Sequence, residues 1–570
     1  MRTRRATTAF LTAIVISQLA IPAQAATNTW YVQAGAATSS GTKTRPFSSL
    51  AQAETASQAG DTIVVLPSTR VLDGGIALKP RQTLRGAGPS VLTEPAPTTL
   101  PRLANTTTRL EGDAVRLADD TAVSNLRIAG SRRGAVYGLE VTGTRVSGNN
   151  ISGQNSACAR GFLIPQFNAP TNIPGVGVPI PGGLQNGWAA IMIDASGRHG
   201  LTATVTDNVI HHATCGDGID VRLWGTATGT ATISGNTIHH LGQGLSFLSV
   251  LAIGLQARDS ARLVGRIDGN NQSALGTSDG TKALNDKGTD SEGVFLNAVG
   301  PATLDSTVTD NRYTNDQGWG GFSANGLEMV SMGSGSRMSA VVRDSTFTGP
   351  PGDVIEHGGL GTDAVMTMTL DHVTAERSVG FGDTRALPFN NGDCVLAGSL
   401  GARNVIRLTV RNSALRSCKN NGLAVGSNVV NGSGPTTEIS LDVDDSSITD
   451  NHGGNLGIRN FTKLDALSVR VQHTDLRRSK NEGTTIADFS AQDLGQTAAA
   501  QLDLGGGSLG STGDNCMTGG LLAAHVMGYA ISARHDWWGQ PGGPIPGQTL
   551  VAPGSLDTAD PLATAPEHCP

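Results

Sequence analysis

A short pattern recurs along this 570-residue chain and limits its fold more than any other feature: apolar-x-x-Asn-x-apolar, a loop, then Gly-apolar-x-apolar. Its polar column reads Asn149, Asn208, Asn236, Asn270, Asn311, Asp344, His372, Asn412, Asp445 and His473. Three of the intervals are 28 residues; the others are longer, as insertions into such a unit would make them. The flanking segments alternate apolar and polar with period 2, as in Ile219-Asp220-Val221-Arg222-Leu223-Trp224, so the unit is built of strands. A unit this small buries little alone and must stack on its neighbours. The prediction is an all-β solenoid of about ten coils. At the strand spacing of roughly 4.8 Å that is a rod of about 48 Å. The polar column is expected to be an internal side-chain ladder that satisfies turn backbone groups.

Composition agrees. Glycine is 75 of 570 residues, charged residues are 15% and aromatics 4%, which suits a β-rich chain with many tight turns. Lys+Arg is 41 against 47 Asp+Glu, a net charge of −6, so the basic stripe of a nucleic-acid binder is missing. Arg2, Arg4 and Arg5, the apolar run Ala9–Ile21 and Ala23-Gln24-Ala25 read as a secretory signal peptide over residues 1–25. The apolar run falls short of a bilayer span, which needs about 20 residues. The expected organisation is a cap with the first coils over 26–110, the solenoid over 111–515 and a C-terminal cap over 516–570. The expected location is secreted or periplasmic.

Export changes the meaning of the six cysteines, which show no CxxC spacing and favour disulfides. Cys158 lies three residues before Gly161 and Cys215 three before Gly218, the same place in the repeat. In neighbouring coils their sulfurs would meet, which predicts Cys158–Cys215. Cys516–Cys569 is expected to tie down the C-terminal segment, and Cys394–Cys418 is left by elimination.

Residues 29–88 carry Thr29-Trp30-Tyr31-Val32, Gly41-Thr42, Arg45-Pro46-Phe47, Ala59-Gly60-Asp61-Thr62-Ile63, Gly74-Gly75 and Leu84-Arg85-Gly86-Ala87-Gly88. This resembles the opening of secreted right-handed parallel β-helix proteins of the pectate-lyase-like superfamily. Ala533–Gly539 with Gly542-Gly543-Pro544 is similar to a segment that closes such helices. The resemblance implies a right-handed parallel β-helix and a role on polysaccharides. The superfamily includes lyases, hydrolases, epimerases, phage depolymerases and non-catalytic adhesins. Asn391-Gly392-Asp393-Cys394 and Asn421-Gly422 are distantly similar to the polygalacturonase family. That family's histidine between glycines is missing, as is its Arg-Ile-Lys signature, to which Gly457-Ile458-Arg459-Asn460 comes nearest. Carry-over stops at Asp393.

Outward residues of the coils stack as the inward ones do. One outward column is read as Leu163, Asp220, Ser246, Phe295, Glu328, Glu356, Leu396, Ala424 and Arg459. The turn before it is read as Arg160, Asp217, Gln243, Glu292, Asn325, Asp353, Asp393 and Asn421. The central coils therefore concentrate acids. Glu328 and Glu356 should sit about 5 Å apart along the backbone. Two carboxylates that close cannot both ionise freely, which is the layout for acid–base cleavage of a glycosidic bond. Glu328 and Glu356 are the expected catalytic pair, with Asp353 or Asp393 assisting. The same carboxylates would equally form a solvated acidic face or hold Ca²⁺.

Asp217, Asp220, Arg222, Trp224, Glu292 and Arg459 are the expected substrate-binding residues. Trp224 could stack on a sugar ring, and Arg222 could pair with a uronate or simply with Asp220. β-Helical lyases use Lys or Arg as the base, and the resemblance makes Arg222 and Arg459 the candidates for that role. The pairs His211-His212 and His239-His240 should stack in adjacent coils, as metal ligands or as plain turn residues. His357 is an acid–base candidate by its place beside Glu356, although alternation points it inward as a satisfied core histidine. Residues 165–187, 272–290 and 377–391 are long insertions, where scaffolds carry function. The functional expectation is an enzyme that cleaves a polysaccharide by acid–base chemistry. A lyase with an Arg base and Ca²⁺ is the second reading, and a non-catalytic carbohydrate-binding or surface rod the third. No residue specifies an oligomeric state.

Overall fold

A computed structural model of the chain describes residues 27–37, 39–88, 101–163, 185–197, 200–242, 249–275, 290–315, 324–380, 392–427, 437–480, 482, 487–518 and 522–569. The signal-peptide reading of residues 1–25 and most of the three long insertions lie outside these residues.

One coil shows how the sequence winds. Gly200–Thr206 forms the first strand, Val209–Ala213 the second and Ile219–Leu223 the third. The chain then returns to Thr228, which pairs in parallel with Gly200. Repeating this circuit makes three sheets of 17, 11 and 17 strands. Among the described residues the strands pair in parallel, apart from an antiparallel pair between Arg160–Leu163 and Gln185–Gly187. The architecture is a right-handed parallel β-helix. The predicted polar column spans ten coils, and the stack continues beyond it at both ends, from Thr29–Val32 to Ser555–Asp557. The short helix Leu50–Ala56, started by a Ser49/Gln52 capping box, packs Leu50 and Ala53 into the core. Among the described residues no helix is long and apolar enough to cross a membrane.

Period-2 alternation sends Ile219, Val221 and Leu223 into the interior, where they are wholly buried. Burial of one such side chain contributes about 1.5–3 kcal/mol. Stacking repeats that contribution in every coil, so one continuous core runs the length of the rod. Between the first and second sheets the polar ladder forms. The Asn208 N–H donates to Asn236 Oδ1 at 3.0 Å, and the Asn236 N–H to Asn270 Oδ1 at 3.0 Å. After Asn311 the ladder differs from the predicted column by one residue. The Asn311 N–H donates to Ser345 Oγ; Val373 interrupts the polar column, its own N–H donating to Ser413 Oγ, and Ser446 and Thr474 continue it in register. Asp344, His372, Asn412, Asp445 and His473 instead hold the turn just before it, with φ between 45° and 55°. Asp and Asn tolerate that left-handed backbone better than most residues, and Asp207 holds the same turn earlier in the chain.

The three predicted disulfides are present: Cys158–Cys215, Cys394–Cys418 and Cys516–Cys569, with Cα–Cα distances of 5.2, 5.5 and 6.3 Å.

Candidate functional site

The outward faces of the sheets differ. In the first sheet, Arg262–Asp268 alternates strictly between exposed and buried. In the third sheet, Ile191–Ala195, Leu327–Met332, Ile355–Gly359 and Val395–Ser399 are buried at every position, outward ones included. Along these strands the outer face is therefore largely buried, while the outward Arg222, Ala424 and Arg459 elsewhere on the sheet stay partly exposed.

On this face the predicted acid pair is in register. Glu328 pairs with Glu356 across adjacent strands. They keep 9% and 8% exposure, whereas Asp353 and Asp393 keep 0% and 1%. Asn325 Nδ2 donates to both glutamates, to Glu328 Oε2 at 3.3 Å and Glu356 Oε2 at 3.0 Å. Its carbonyl accepts from the Asp353 N–H at 2.9 Å, which fixes the amide with its NH2 toward the carboxylates. The preceding column, Glu292, Asn325, Asp353, Asp393 and Asn421, follows the predicted register. Its members hold turns. Asp353 Oδ1 accepts from the backbone of Gly392 and Asp393, and Asp393 Oδ1 from both Asn421 nitrogens. Burial pushes the Asp393 carboxyl up to about 6, against those hydrogen bonds and the pull of Arg459. Glu292 is wholly buried.

Other column positions need correction. Phe295 precedes Glu328, and Gly254 rather than Ser246 precedes Phe295. Leu251 stands where Gln243 was expected; Ser246 and Gln243 lie outside the described residues. Arg160 and Leu163 leave the columns because their strand pairs antiparallel. Arg459 is two residues out of the Glu356 column. It pairs with Gly426, and Gly398 and Gly358 continue that column toward Val330. Three coils separate Arg459 from Gly358, about 14 Å. The face between them is lined by Gly358, Leu396, Gly398, Ala424, Gly426 and Gly457, a floor with little relief. Burial lowers the Arg459 pKa, and the Asp393 charge opposes this. Its Nε has no hydrogen-bond partner among the described residues, and its guanidinium lies 4.9 Å from the Phe461 ring centroid.

Arg222 does not pair with Asp220. Its Nε and Nη2 each donate to Asp194 at 2.7 Å, one to each carboxylate oxygen, and its Nη1 to the Gly161 carbonyl. Asp194 faces Arg222 in the adjacent strand, and this attraction outweighs burial and raises the Arg222 pKa. Asp194 escaped the sequence reading because its strand follows the insertion at 165–187; the alternation Ile191-Met192-Ile193-Asp194 was the available signal. The half-buried Trp224 lies over the same guanidinium, 5.9 Å from it. Trp188, also unforeseen, packs between Arg133 and Tyr137. Asp217 and Asp220 are wholly buried. Asp217 accepts from the Leu251 N–H and Asn186 Nδ2. Burial raises both carboxyls, and the Asp217 charge drives Asp220 further up.

His357 points inward as predicted, but it is not satisfied. It is wholly buried with both ring nitrogens unpartnered among the described residues, and burial lowers its pKa to about 3. It stays neutral and cannot reach the outer face. A concavity of about 510 Å³ lies on a different flank, lined by His372, Asn412, Asp445, His473 and His568. There His473 is engaged by Asp444, and His568 by the Asp514 carbonyl.

No protein-family model matches the chain, and no curated protein matches it. Among solved structures it is similar to the PL6 family alginate lyase AlyGC, at 10% identity over 94% of this chain and 99% of that one, with a TM-score of 0.17. A point mutant of the same lyase is similar at 9% identity over 90% and 98%, also with a TM-score of 0.17. A likeness at that level says nothing about chemistry. The fold stands on the strand pairing.

Proposed function

We propose that the chain is an exported polysaccharide-degrading enzyme whose groove follows the outer face of the third sheet, with Glu328 and Glu356 as its acid–base pair. The observation that carries this reading is the in-register stacking of two nearly buried carboxylates bridged by one amide. One glutamate would protonate the glycosidic oxygen. The other would stabilise or attack the sugar carbon, directly if the carboxyl groups are ~5–5.5 Å apart or through water if they are wider. Asn325 positions both by donating to each. Asp353 and Asp393 assist by holding the turns, Glu292 continues the same acidic column, and the low-relief floor toward Arg459 leaves room for a polymer. At the far end, Arg222 is committed to Asp194, which leaves Trp224 as the group able to stack on a sugar. Asp217 and Asp220 are buried supports beneath it.

The second reading is a lyase, and Arg459 favours it. A base must lose its proton near neutral pH, and burial moves Arg459 in that direction whereas Asp194 moves Arg222 away from it. Ca²⁺ at the glutamate pair fits less well, because Asn325 turns its NH2 rather than its carbonyl to the carboxylates.

The test is to incubate the purified protein with neutral and uronic-acid polysaccharides, with and without Ca²⁺, and to follow reducing ends and unsaturated product. Reducing ends without unsaturation support the glutamate pair. Unsaturated product that disappears in Arg459→Ala supports the lyase. Silence across a broad panel overturns both and leaves a carbohydrate-binding rod.

A further inference from the structure

Four histidines lie at the second sheet, away from the acid pair. In a strand, successive side chains point to opposite faces. His212 and His240 break that rule because each holds a left-handed backbone, with φ of 51° and 53°. Each imidazole is thereby turned toward that of the residue before it. His211 Nδ1 and His212 Nδ1 come within 2.8 Å, and His239 Nδ1 and His240 Nδ1 within 2.7 Å. The two pairs stand in register in adjacent coils. His211 stacks on His239 at 5.5 Å and His212 on His240 at 5.0 Å, with interplanar angles of 11° and 1°.

We infer that each pair is a two-nitrogen chelate for a divalent transition metal of tetragonal preference, copper(II) foremost. Imidazole nitrogens bind such ions at about 2.0–2.1 Å, so two nitrogens 2.8 Å apart subtend about 85° at the metal. That is the angle of square-planar or tetragonal coordination; a tetrahedral ion would want them about 3.4 Å apart. One ion cannot serve all four rings. Midway between the coils it would lie about 2.9 Å from each nitrogen, beyond bonding distance. The ions are therefore held one per coil, and the first repels the second across about 5 Å.

Asn150 prepares the first pair. Its Oδ1 lies 3.3 Å from His211 Nε2 and takes that nitrogen's proton into a hydrogen bond. The lone pair of His211 is then on Nδ1, facing His212. Without metal, His212 Nδ1 shares its proton with that lone pair. A bound ion takes the place of this proton, which moves by way of solvent to His212 Nε2, so both rings bind as neutral imidazoles with no net proton released. His212 is exposed and the other three residues are partly so.

The test is a copper(II) titration of the chelator-stripped protein, read by calorimetry and electron paramagnetic resonance. The expected result is a tetragonal spectrum with nitrogen hyperfine splitting and a first ion bound more tightly than the second. The double variant His212→Asn, His240→Asn keeps residues that tolerate the left-handed backbone and should bind at least about tenfold more weakly. The strand double variant His211→Gln, His239→Gln should show the same loss. His372→Asn, at an exposed left-handed position on another flank, should bind as the native chain does. Equal binding by native and double-variant proteins, or a spectrum without nitrogen coupling, overturns the inference.

Discussion

At position 357 a histidine stands in the core between Met329 of the preceding coil and Ala397 of the following one. The neighbours are apolar, so the ring gains no hydrogen bond and remains neutral. Its pKa falls from 6.5 in the unfolded chain to about 3 in the folded one. Between those values the unfolded chain takes up a proton that the folded chain refuses. Stability therefore falls as pH falls through that window, by up to about 1.4 kcal/mol per pH unit. His357→Leu removes both the buried polar ring and this titration. We expect the variant to be more stable than the native chain at pH 7, by about 1–3 kcal/mol, with the gap widening as pH is lowered to 4. Denaturant unfolding across that range checks it, and a gap that stays constant or narrows would contradict the account. The sequence showed which way residue 357 points, because parity alone decides that. It could not show that the ring lacks partners, since those depend on which residues the neighbouring coils present.

The ladder carries the argument at the scale of an element. Asn236 Oδ1 accepts the Asn208 backbone and side-chain N–H groups, and Asn236 Nδ2 donates to the Val205 and Ser234 carbonyls and to Asn270 Oδ1. Asn236→Ala strips all five contacts inside the rod and should cost about 2–4 kcal/mol. Asn236→Ser should cost less. Ser345 shows why: its Oγ accepts the Asn311 N–H and donates to the Arg343 carbonyl, two of the same five contacts. Thermal unfolding of the two variants orders them, and equal loss would mean that the ladder's hydrogen bonds carry no weight. This chemistry also explains where the sequence reading slipped. Each turn holds two adjacent residues, one for the left-handed backbone (Gly148, Asp207, Gly235, Gly269 and Asp310 in the earlier coils) and one for the ladder. Up to Asn311 the ladder residue is the amide. Beyond it the ladder residue is a hydroxyl at Ser345, Ser413, Ser446 and Thr474, and the larger Asp344, Asn412, Asp445 and His473 before them drew the column one place early. Arg459 slipped for a related reason. Gly457 looks like the glycine that opens a strand, yet Asn455 occupies the place of Gly422. A slip of two keeps the inward–outward parity, so the burial pattern gives no warning.

Over the whole molecule, the central fact is the asymmetry of the rod. One outer face alternates as an exposed sheet does, and the other is covered along the strands that carry the acids. Stacking turned residues 28 positions apart, Glu328 and Glu356, into neighbours, and the repeat period alone was enough to foresee it. The bond between Arg222 and Asp194 was harder to read, because the insertion at 165–187 hides the period just where the partner strand lies. The account rests on Glu328 and Glu356 acting together on a polymer at that face. Turnover of the substrate found in the panel, measured for Glu328→Gln and for Glu356→Gln beside the native protein, tests it most directly. Each variant should lose about 10²–10⁴-fold in rate while its unfolding midpoint stays close to native. Variants that fold and keep native turnover would contradict the account.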